Sequence, residues 1–383
     1  MNKPKRIVGI IAEYNPLHNG HAYQLTYARR ALHADGIIVV MSGNFTQRGT
    51  PALCAKERRA RAALAAGADA VAELPVCVAT SDTPLFAQGA VDVLRAMGCN
   101  ALLFGSETGS LPLLQKTARA MVKPRFWELF GQNMASGQHP NTARPAALRT
   151  VLPEAGDGLY ANDPNNLLGI YYLCALLRRG DTGVRPFTHK RLGQGYLEEK
   201  MPPDTQFASA SAIRAAAEEL RGKEPDAATL ATVLGKQLRP FLPAAMATEL
   251  EQAARAGELV FPRDLFRETA QACRRTPPRR WQAVCPGVPR HEILSLLDAG
   301  ADWQGLRTAF HRHAPALKAD RMLGWLLLGR DRPSMEEFLA GDHVGWRMLA
   351  GGLSGLEPQR GSDTLLREWE QADTLYGSAL KGG

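Results

Sequence analysis

A run of β-branched and small apolar residues, Ile7 to Ala12, passes through Glu13-Tyr14-Asn15-Pro16-Leu17 into His18-Asn19-Gly20-His21, and helical spacing then runs from His21 to Ala34. This junction constrains the chain more than any other stretch. Gly20 lets the backbone come close to a phosphate, a helix N-terminus offers N–H groups with no intrahelical acceptor, and two imidazoles can meet charge developing on phosphate oxygens. Two histidines beside a glycine often serve structure alone. Their place between a strand end and a helix start turns the reading toward phosphate chemistry.

The alternation continues for about a hundred residues, the pattern of a parallel sheet covered by helices. Gly36 to Met41 reads as strand two, Ala70 to Leu74 as strand three before Pro75, and Ala101 to Phe104 as strand four. Helices are expected over Ala55–Ala66, Pro84–Met97, Leu111–Val122 and Pro164–Arg179. Gly131 to Thr142 is polar and is expected to be a surface loop, and Arg185 to Thr188 one more strand. Ala210 to Arg221 reads as a helix whose start is marked by Ser209 and Ser211. From about Gly222 onward only helical periodicity is visible, broken by loops such as Thr276-Pro277-Pro278-Arg279-Arg280. A boundary near Gly222, with Lys223-Glu224-Pro225-Asp226 as linker, divides the chain into 1–221 and 222–383.

A length of 383 residues favours two domains or one with a large appendage. The six cysteines are scattered, with no CxxC pair and no zinc-finger spacing, which reads as buried free thiols in a reducing compartment. The basic start runs straight into a short strand, so no signal peptide and no membrane partner are expected, and the cytoplasm is the expected location. A net charge of +8 suits a phosphate-rich partner without requiring one.

A second signal lies in Ser209-Ala210-Ser211-Ala212-Ile213-Arg214. Hydroxyls and amides at a helix start suit the β- and γ-phosphates of a nucleotide, and the Arg214 fork can hold them. Alone, the segment reads as a capped helix with a surface arginine. Together with His18-Asn19-Gly20-His21 it resembles the paired signatures of adenylyl-transferring nucleotidyltransferases.

The match extends further. Gly9 to His21, Met41-Ser42-Gly43-Asn44-Phe45-Thr46-Gln47-Arg48-Gly49, Glu73-Leu74-Pro75, Phe86-Ala87-Gln88-Gly89-Ala90-Val91, Phe104-Gly105-Ser106-Glu107 and Pro164-Asn165-Asn166-Leu167-Leu168 resemble, in order, segments of the bacterial tRNA(Met) cytidine acetate ligases. Coverage is dense from Gly9 to about Arg214; the helical remainder is similar in length and character only. The resemblance implies an α/β fold: a Rossmann-like nucleotidyltransferase domain with a parallel sheet, then a mainly helical, tRNA-binding C-terminal domain. It implies that acetate attacks the α-phosphorus of ATP, and that the acetyl-adenylate then acetylates the wobble cytidine of elongator tRNA(Met) to N4-acetylcytidine.

By position, the resemblance makes the loop Ile11, Ala12, Glu13, Tyr14, Asn15, Pro16, Leu17, His18, Asn19, Gly20, His21, Ala22, Tyr23 and Gln24 the ATP-binding segment, with His18 and His21 catalytic and facing the phosphates. Gly105 lets the nucleotide approach, Asn165 binds it, and Arg191, Ser209, Ser211 and Arg214 lie at its phosphates. Arg48 and Lys56 are added as phosphate or tRNA contacts, weighed equally against a solvated basic face. Mg²⁺ is expected to travel with ATP, because no carboxylate cage for a metal is visible.

The chain departs from the family at Gly195-Tyr196-Leu197, where a Gly-Tyr-His is usual, and at His139, where an aromatic is usual. Between Arg263 and Arg332 thirteen Arg or Lys face seven Asp or Glu, with Trp281, Trp303 and Trp325 among them. The arginines there can track an RNA backbone, Arg274-Arg275 and Arg279-Arg280 above all; each tryptophan is read first as core and only then as a platform for an unpaired base. Two other functions fit part of the pattern. One is an adenylyltransferase acting on a phosphorylated metabolite, which needs no RNA; the other is an RNA-binding protein with a vestigial nucleotide site. Oligomeric state stays open.

Overall fold

The computed structural model describes residues 5–153, 163–180, 183–192, 206–224, 226–331, 345–352 and 363–381. Six strands form one sheet: β1 (Ile7–Ala12), β2 (Gly36–Met41), β3 (Ala70–Glu73), β4 (Ala101–Ser106), β5 (Arg185–Lys190) and β6 (Arg347–Gly351), in the order β5-β4-β1-β2-β3-β6. The first five are parallel, and β6 runs antiparallel along β3. Helices α1 (Asn19–Arg30), α2 (Lys56–Ala65), α3 (Val76–Ala79), α4 (Thr83–Ala96), α5 (Leu111–Met121), α6 (Pro124–Ala135), α7 (Pro140–Val151), α8 (Pro164–Arg178) and α9 (Ala210–Lys223) accompany the parallel strands. Beyond them come α10 (Ala227–Leu238), α11 (Ala244–Arg255), α12 (Phe266–Arg275), α13 (Pro278–Val284), α14 (Arg290–Asp298), α15 (Trp303–His313), α16 (Ala316–Leu328) and α17 (Asp363–Lys381). The architecture is the expected one, a parallel sheet followed by a mainly helical region.

Side chains alternate across the strands, and both faces are buried. Val8, Ile10, Ile37, Val39, Val71 and Leu103 pack into a core with α1, α2, α9, α10 and α11. Ile38, Val40, Ala72, Leu102 and Phe104 pack into a second core with α4, α5, α8 and the helices from α12 to α16. Both cores draw residues from either side of Gly222. At the strands' C-terminal ends the order reverses between β1 and β4, so the two helix layers part there, and such a crevice is where open α/β sheets place ligands.

One buried side chain joins the loops that rim this crevice. Arg59, on α2 and fully buried, donates to the carbonyls of Cys54 (3.1 Å), Glu13 (2.6 Å), Ser42 (3.0 Å) and Gly43. It therefore holds the segment after β1 against the segment after β2. A charged set built on two buried residues fixes the C-terminal region: buried Lys56 pairs with buried Glu73 (3.2 Å) and with the half-buried Asp373, while half-buried Arg347 of β6 reaches Glu73 (2.7 Å) and Asp373 (3.1 Å).

Several expectations are corrected. Residues 131–142 are not one surface loop. Gly131 lies inside α6 and Pro140 opens α7, whose first turn His139 caps through Nδ1. The region past Gly222 is not purely helical, because β6 finds an open edge on β3. Arg279 and Arg280 sit in the first turn of α13 rather than in a loop. Trp281 and Trp325 are buried, donating to the Val288 and Thr80 carbonyls (2.7 and 2.9 Å), and Trp303 packs against the same core. That leaves Trp281 and Trp325 no face for an RNA base. Gly195-Tyr196-Leu197 lies outside the described residues. Among those residues no helix is long and apolar enough to cross a membrane.

Arg59→Met would leave four backbone carbonyls in a dry interior. It is expected to lower the unfolding free energy by at least about 3 kcal/mol in urea titration, since buried hydrogen bonds to a charged group contribute about 1.5–3 kcal/mol each.

Candidate active site

The crevice is an open cleft of about 940 Å³, its mouth included. Helix α1 enters it with its first N–H groups covered by two imidazoles. His18 is the N-cap, and its Nδ1 accepts from the Gly20 N–H at 3.1 Å; the Nδ1 of His21 accepts from the His18 N–H at 3.3 Å. The rings stack with centroids 3.7 Å apart at 22°. This arrangement needs glycine at position 20, because a Cβ there would lie 3.0 Å from Cε1 of His18.

The caps also decide the protonation state. Each Nδ1 accepts a hydrogen bond, so each neutral ring carries its proton on Nε2. Burial, then the Arg191 and Arg214 charges, push His18 down to about 3; burial, then His18 and Arg191, hold His21 well below the usual histidine range. Two stacked rings in a cationic cleft cannot both gain charge cheaply. They are donors through Nε2–H rather than cations.

Tyr14 holds the turn before them. It adopts a left-handed backbone (φ 47°), is buried, and sets its ring edge-on to His21 at 4.9 Å. Such a conformation costs about 1–3 kcal/mol in a residue with a side chain, and the surrounding packing must impose it. Asn15 accepts from the Leu53 N–H (2.8 Å), and Glu13 from the Gln47 N–H (2.9 Å). On the same side of the cleft Ser209 caps α9 by accepting from the Ala212 N–H (2.9 Å), so a second helix N-terminus opens onto the same space. Arg214 links the two, donating to the Asn15 carbonyl (2.6 Å) and to Ser211 Oγ (3.1 Å).

Of the residues named from sequence, Ile11, Ala12, Glu13, Tyr14, Asn15, His18, His21, Gln24, Gly105, Asn165, Arg191, Ser209, Ser211 and Arg214 line the cleft. Pro16, Leu17, Asn19, Gly20, Ala22 and Tyr23 do not. Leu17 is core, Gly20 acts through His18, and Asn19 donates to the Gln206 and Pro240 carbonyls (2.9 and 2.8 Å). Asn165 starts α8, held by Glu107 at 2.7 Å. At Gly105 a Cβ would meet the side chains of Arg191 and His189 at 3.1 and 3.3 Å.

Lys56 is no phosphate or tRNA contact: it is buried in its pairing with Glu73 and Asp373. Arg48 does not line the cleft, whereas its neighbour Gln47 does. Gln47, Phe86, Phe104, Leu168, Tyr172 and Ala210 complete the lining without having been named as site residues. Five of them, Gln47, Phe86, Phe104, Leu168 and Ala210, stand inside segments that carry the family resemblance, a signal that marked the segments without giving these side chains a role.

Comparison with known proteins identifies relatives of the whole fold. The family model described as HIGH Nucleotidyl Transferase matches residues 5–285. The tRNA(Met) cytidine acetate ligase of Syntrophotalea carbinolica is 35% identical over 359 residues, covering 91% of this chain and 80% of that protein. That of Caldanaerobacter subterraneus subsp. tengcongensis is 43% identical over 217 residues, and there the match spans 55% of this chain and 53% of the relative. The crystal structure of Thermotoga maritima TmcAL bound with alpha-thio ATP superposes with a TM-score of 0.77 at 25% identity, covering 96% of this chain and 83% of that one. The apo form of the same protein gives 0.79, with 97% and 84% covered.

The neutral imidazoles carry a pH signature. Unfolded, each ring titrates near 6.5, so the unfolded chain binds more protons in acid. The stability tied to the neutral rings is complete above pH 6.5 and is lost as pH falls toward the depressed folded value. For His18 the loss between pH 7 and pH 5 is about 2 kcal/mol. Urea titrations at the two pH values are expected to show it, with a shallower slope in His18→Gln; equal slopes would remove the neutral-ring assignment.

Proposed function

The chain belongs to the tRNA(Met) cytidine acetate ligase family of HIGH nucleotidyl transferases, and from that membership we propose that it is an ATP-dependent ligase acting on acetate and elongator tRNA(Met). A carboxylate oxygen of acetate attacks the α-phosphorus of ATP, and pyrophosphate leaves. The N4 amine of the wobble cytidine then attacks the acetyl carbon, AMP departs, and N4-acetylcytidine remains. The activation suits the acceptor: cytosine's exocyclic amine is weakly basic, and a mixed anhydride is an acyl donor that free acetate is not.

The observation that supports this reading best is the convergence of two helix N-termini, two Nε2–H imidazoles, Arg191 and Arg214 on one cleft. Anionic oxygens are favoured there by the positive ends of two helix dipoles, the Nε2–H donors and fixed cations together. In this proposal the residues from Ile11 to Gln24 that line the cleft, with Gly105, Asn165, Ser209 and Ser211, hold ATP, while His18 and His21 donate to oxygens around the reacting phosphorus. Mg²⁺ would accompany the nucleotide and offset the charge on its phosphates. Among the described residues no cluster of three His, Cys, Asp or Glu is placed to hold a metal by itself.

The helical region after Gly222 is the proposed RNA contact. Several of its arginines are committed internally, such as Arg307 to Asp320 (2.7 Å) and Arg274 to Asp298 (3.1 Å). Arg279 and Arg280 are exposed, although Arg280 also donates to the Gly329 carbonyl.

Purified protein with ATP, Mg²⁺, labelled acetate and unmodified elongator tRNA(Met) is expected to yield labelled N4-acetylcytidine after digestion of the RNA. Pyrophosphate release that instead requires a phosphorylated metabolite would replace the ligase with a small-molecule adenylyltransferase. His21→Ala is expected to slow acetate-dependent pyrophosphate release by about a hundredfold or more, the scale of losing one transition-state donor. Charge reversal at Arg279 and Arg280 is expected to weaken tRNA binding and spare adenylate formation; unchanged affinity would move the RNA surface elsewhere.

A further inference from the structure

The cleft has two unlike walls. The layer of α1 and α9 supplies His18, His21, Ser209, Ser211 and Arg214, whereas the opposite layer supplies Phe86 from α4 with Leu168 and Tyr172 from α8, joined by Phe104 at the end of β4. Among the described residues, α4 and α8 bring no charged side chain to the cleft. The one amide they contribute, Asn165, is already bonded to Glu107 at 2.7 Å.

This apolar wall is also stiff. The Phe104 ring rests on the backbone of α8 at Gly169, where a Cβ would come within 2.3 Å of it. It meets Tyr172 edge-on with centroids 6.0 Å apart, and Phe86, Phe104 and Tyr172 are all buried. Rings so packed cannot swing aside for a larger ligand without opening the core.

Attack on the α-phosphorus separates the reactants in the same sense. As the carboxylate oxygen forms its bond to phosphorus, the bond from phosphorus to the oxygen of pyrophosphate breaks, and pyrophosphate takes the electron pair and leaves on the opposite side. The departing anion belongs with the donors of α1 and α9. The carboxylate therefore enters from the α4 and α8 side, its charged end toward phosphorus and its alkyl end toward the wall. We infer that Phe86, Phe104, Leu168 and Tyr172 form the acyl subsite, and that Leu168 and Phe86 set the length of the aliphatic carboxylate that is activated. This inference rests on the adenylate-forming reaction proposed above.

The test is carboxylate-dependent exchange of pyrophosphate into ATP, without RNA, comparing acetate with propionate. The wild-type protein is expected to prefer acetate by roughly tenfold or more, the scale of one methylene that a rigid pocket refuses. Leu168→Ala, and independently Phe86→Leu, are expected to raise the propionate-to-acetate ratio of kcat/KM about tenfold while the KM for ATP stays within twofold. Because the ratio is taken within one preparation, loss of folded protein cancels from it. An unchanged ratio in both variants overturns the inference, and so does an unchanged ratio with a raised KM for ATP, which would put the nucleotide base on this wall. Absence of acetate-dependent exchange in the wild-type protein would instead remove the adenylate reaction itself, and the subsite with it.

Discussion

A helix that begins inside a ligand cleft leaves several N–H groups without carbonyl acceptors, and what covers them determines what the cleft can bind. In this chain two imidazoles do it reciprocally, His18 over Gly20 and His21 over His18. Because Nδ1 is the accepting atom in both, the proton must sit on Nε2, and burial above all, with the Arg191 charge beside both rings, opposes a second proton on either. Folding thus converts the residues most able to change charge near neutrality into fixed, neutral donors. Such donors suit charge that appears on phosphate oxygens only in the transition state, since they need no reorganisation when it develops.

The rest of the fold keeps that cap in place. Reversal of strand order between β1 and β4 opens the crevice, and Arg59 ties the two loops that rim it to α2. Arg214 then ties α9 to Asn15 on the same wall, so the second helix N-terminus is registered against the first. The C-terminal region is part of the same body: β6 extends the sheet, and the buried Lys56 and Glu73, joined by the half-buried Arg347 and Asp373, anchor α17 to the loop after β2. Removing either Lys56 or Glu73 leaves the other's charge buried and uncompensated, so this anchor is most sensitive at those two positions.

Much of this arrangement was legible in the chain. Strands β1 to β3 carry β-branched or alanine-rich runs and β4 an apolar run of leucines and phenylalanine, all of the right length, and His18-Asn19-Gly20-His21 and Ser209 to Arg214 mark two helix starts by residue type alone. What escaped depends on distant partners. Lys56 looks like a surface cation until Asp373, 317 residues away, arrives beside it. β6 is Arg-Met-Leu-Ala-Gly, with no β-branched residue, and only the open edge of β3 makes it a strand. Residues 131–142 read as loop because α6 buries little beyond Phe126 and keeps a polar face in water. The apolar wall of the cleft escaped for the opposite reason: Phe86, Leu168 and Tyr172 have the spacing of ordinary core residues, and only the parting of the two helix layers exposes them to a ligand.

The central claim is that an oxygen of acetate becomes bonded to the α-phosphorus of ATP before the acetyl group reaches RNA. Turnover with ¹⁸O-labelled acetate, ATP and tRNA(Met), followed by mass analysis of the AMP produced, tests it directly. When the amine attacks the acetyl carbon, the carbon–oxygen bond of the mixed anhydride breaks and AMP keeps the bridging oxygen. The account predicts AMP carrying one ¹⁸O per acetyl group transferred. Unlabelled AMP, or ¹⁸O found in inorganic phosphate or pyrophosphate, would contradict it.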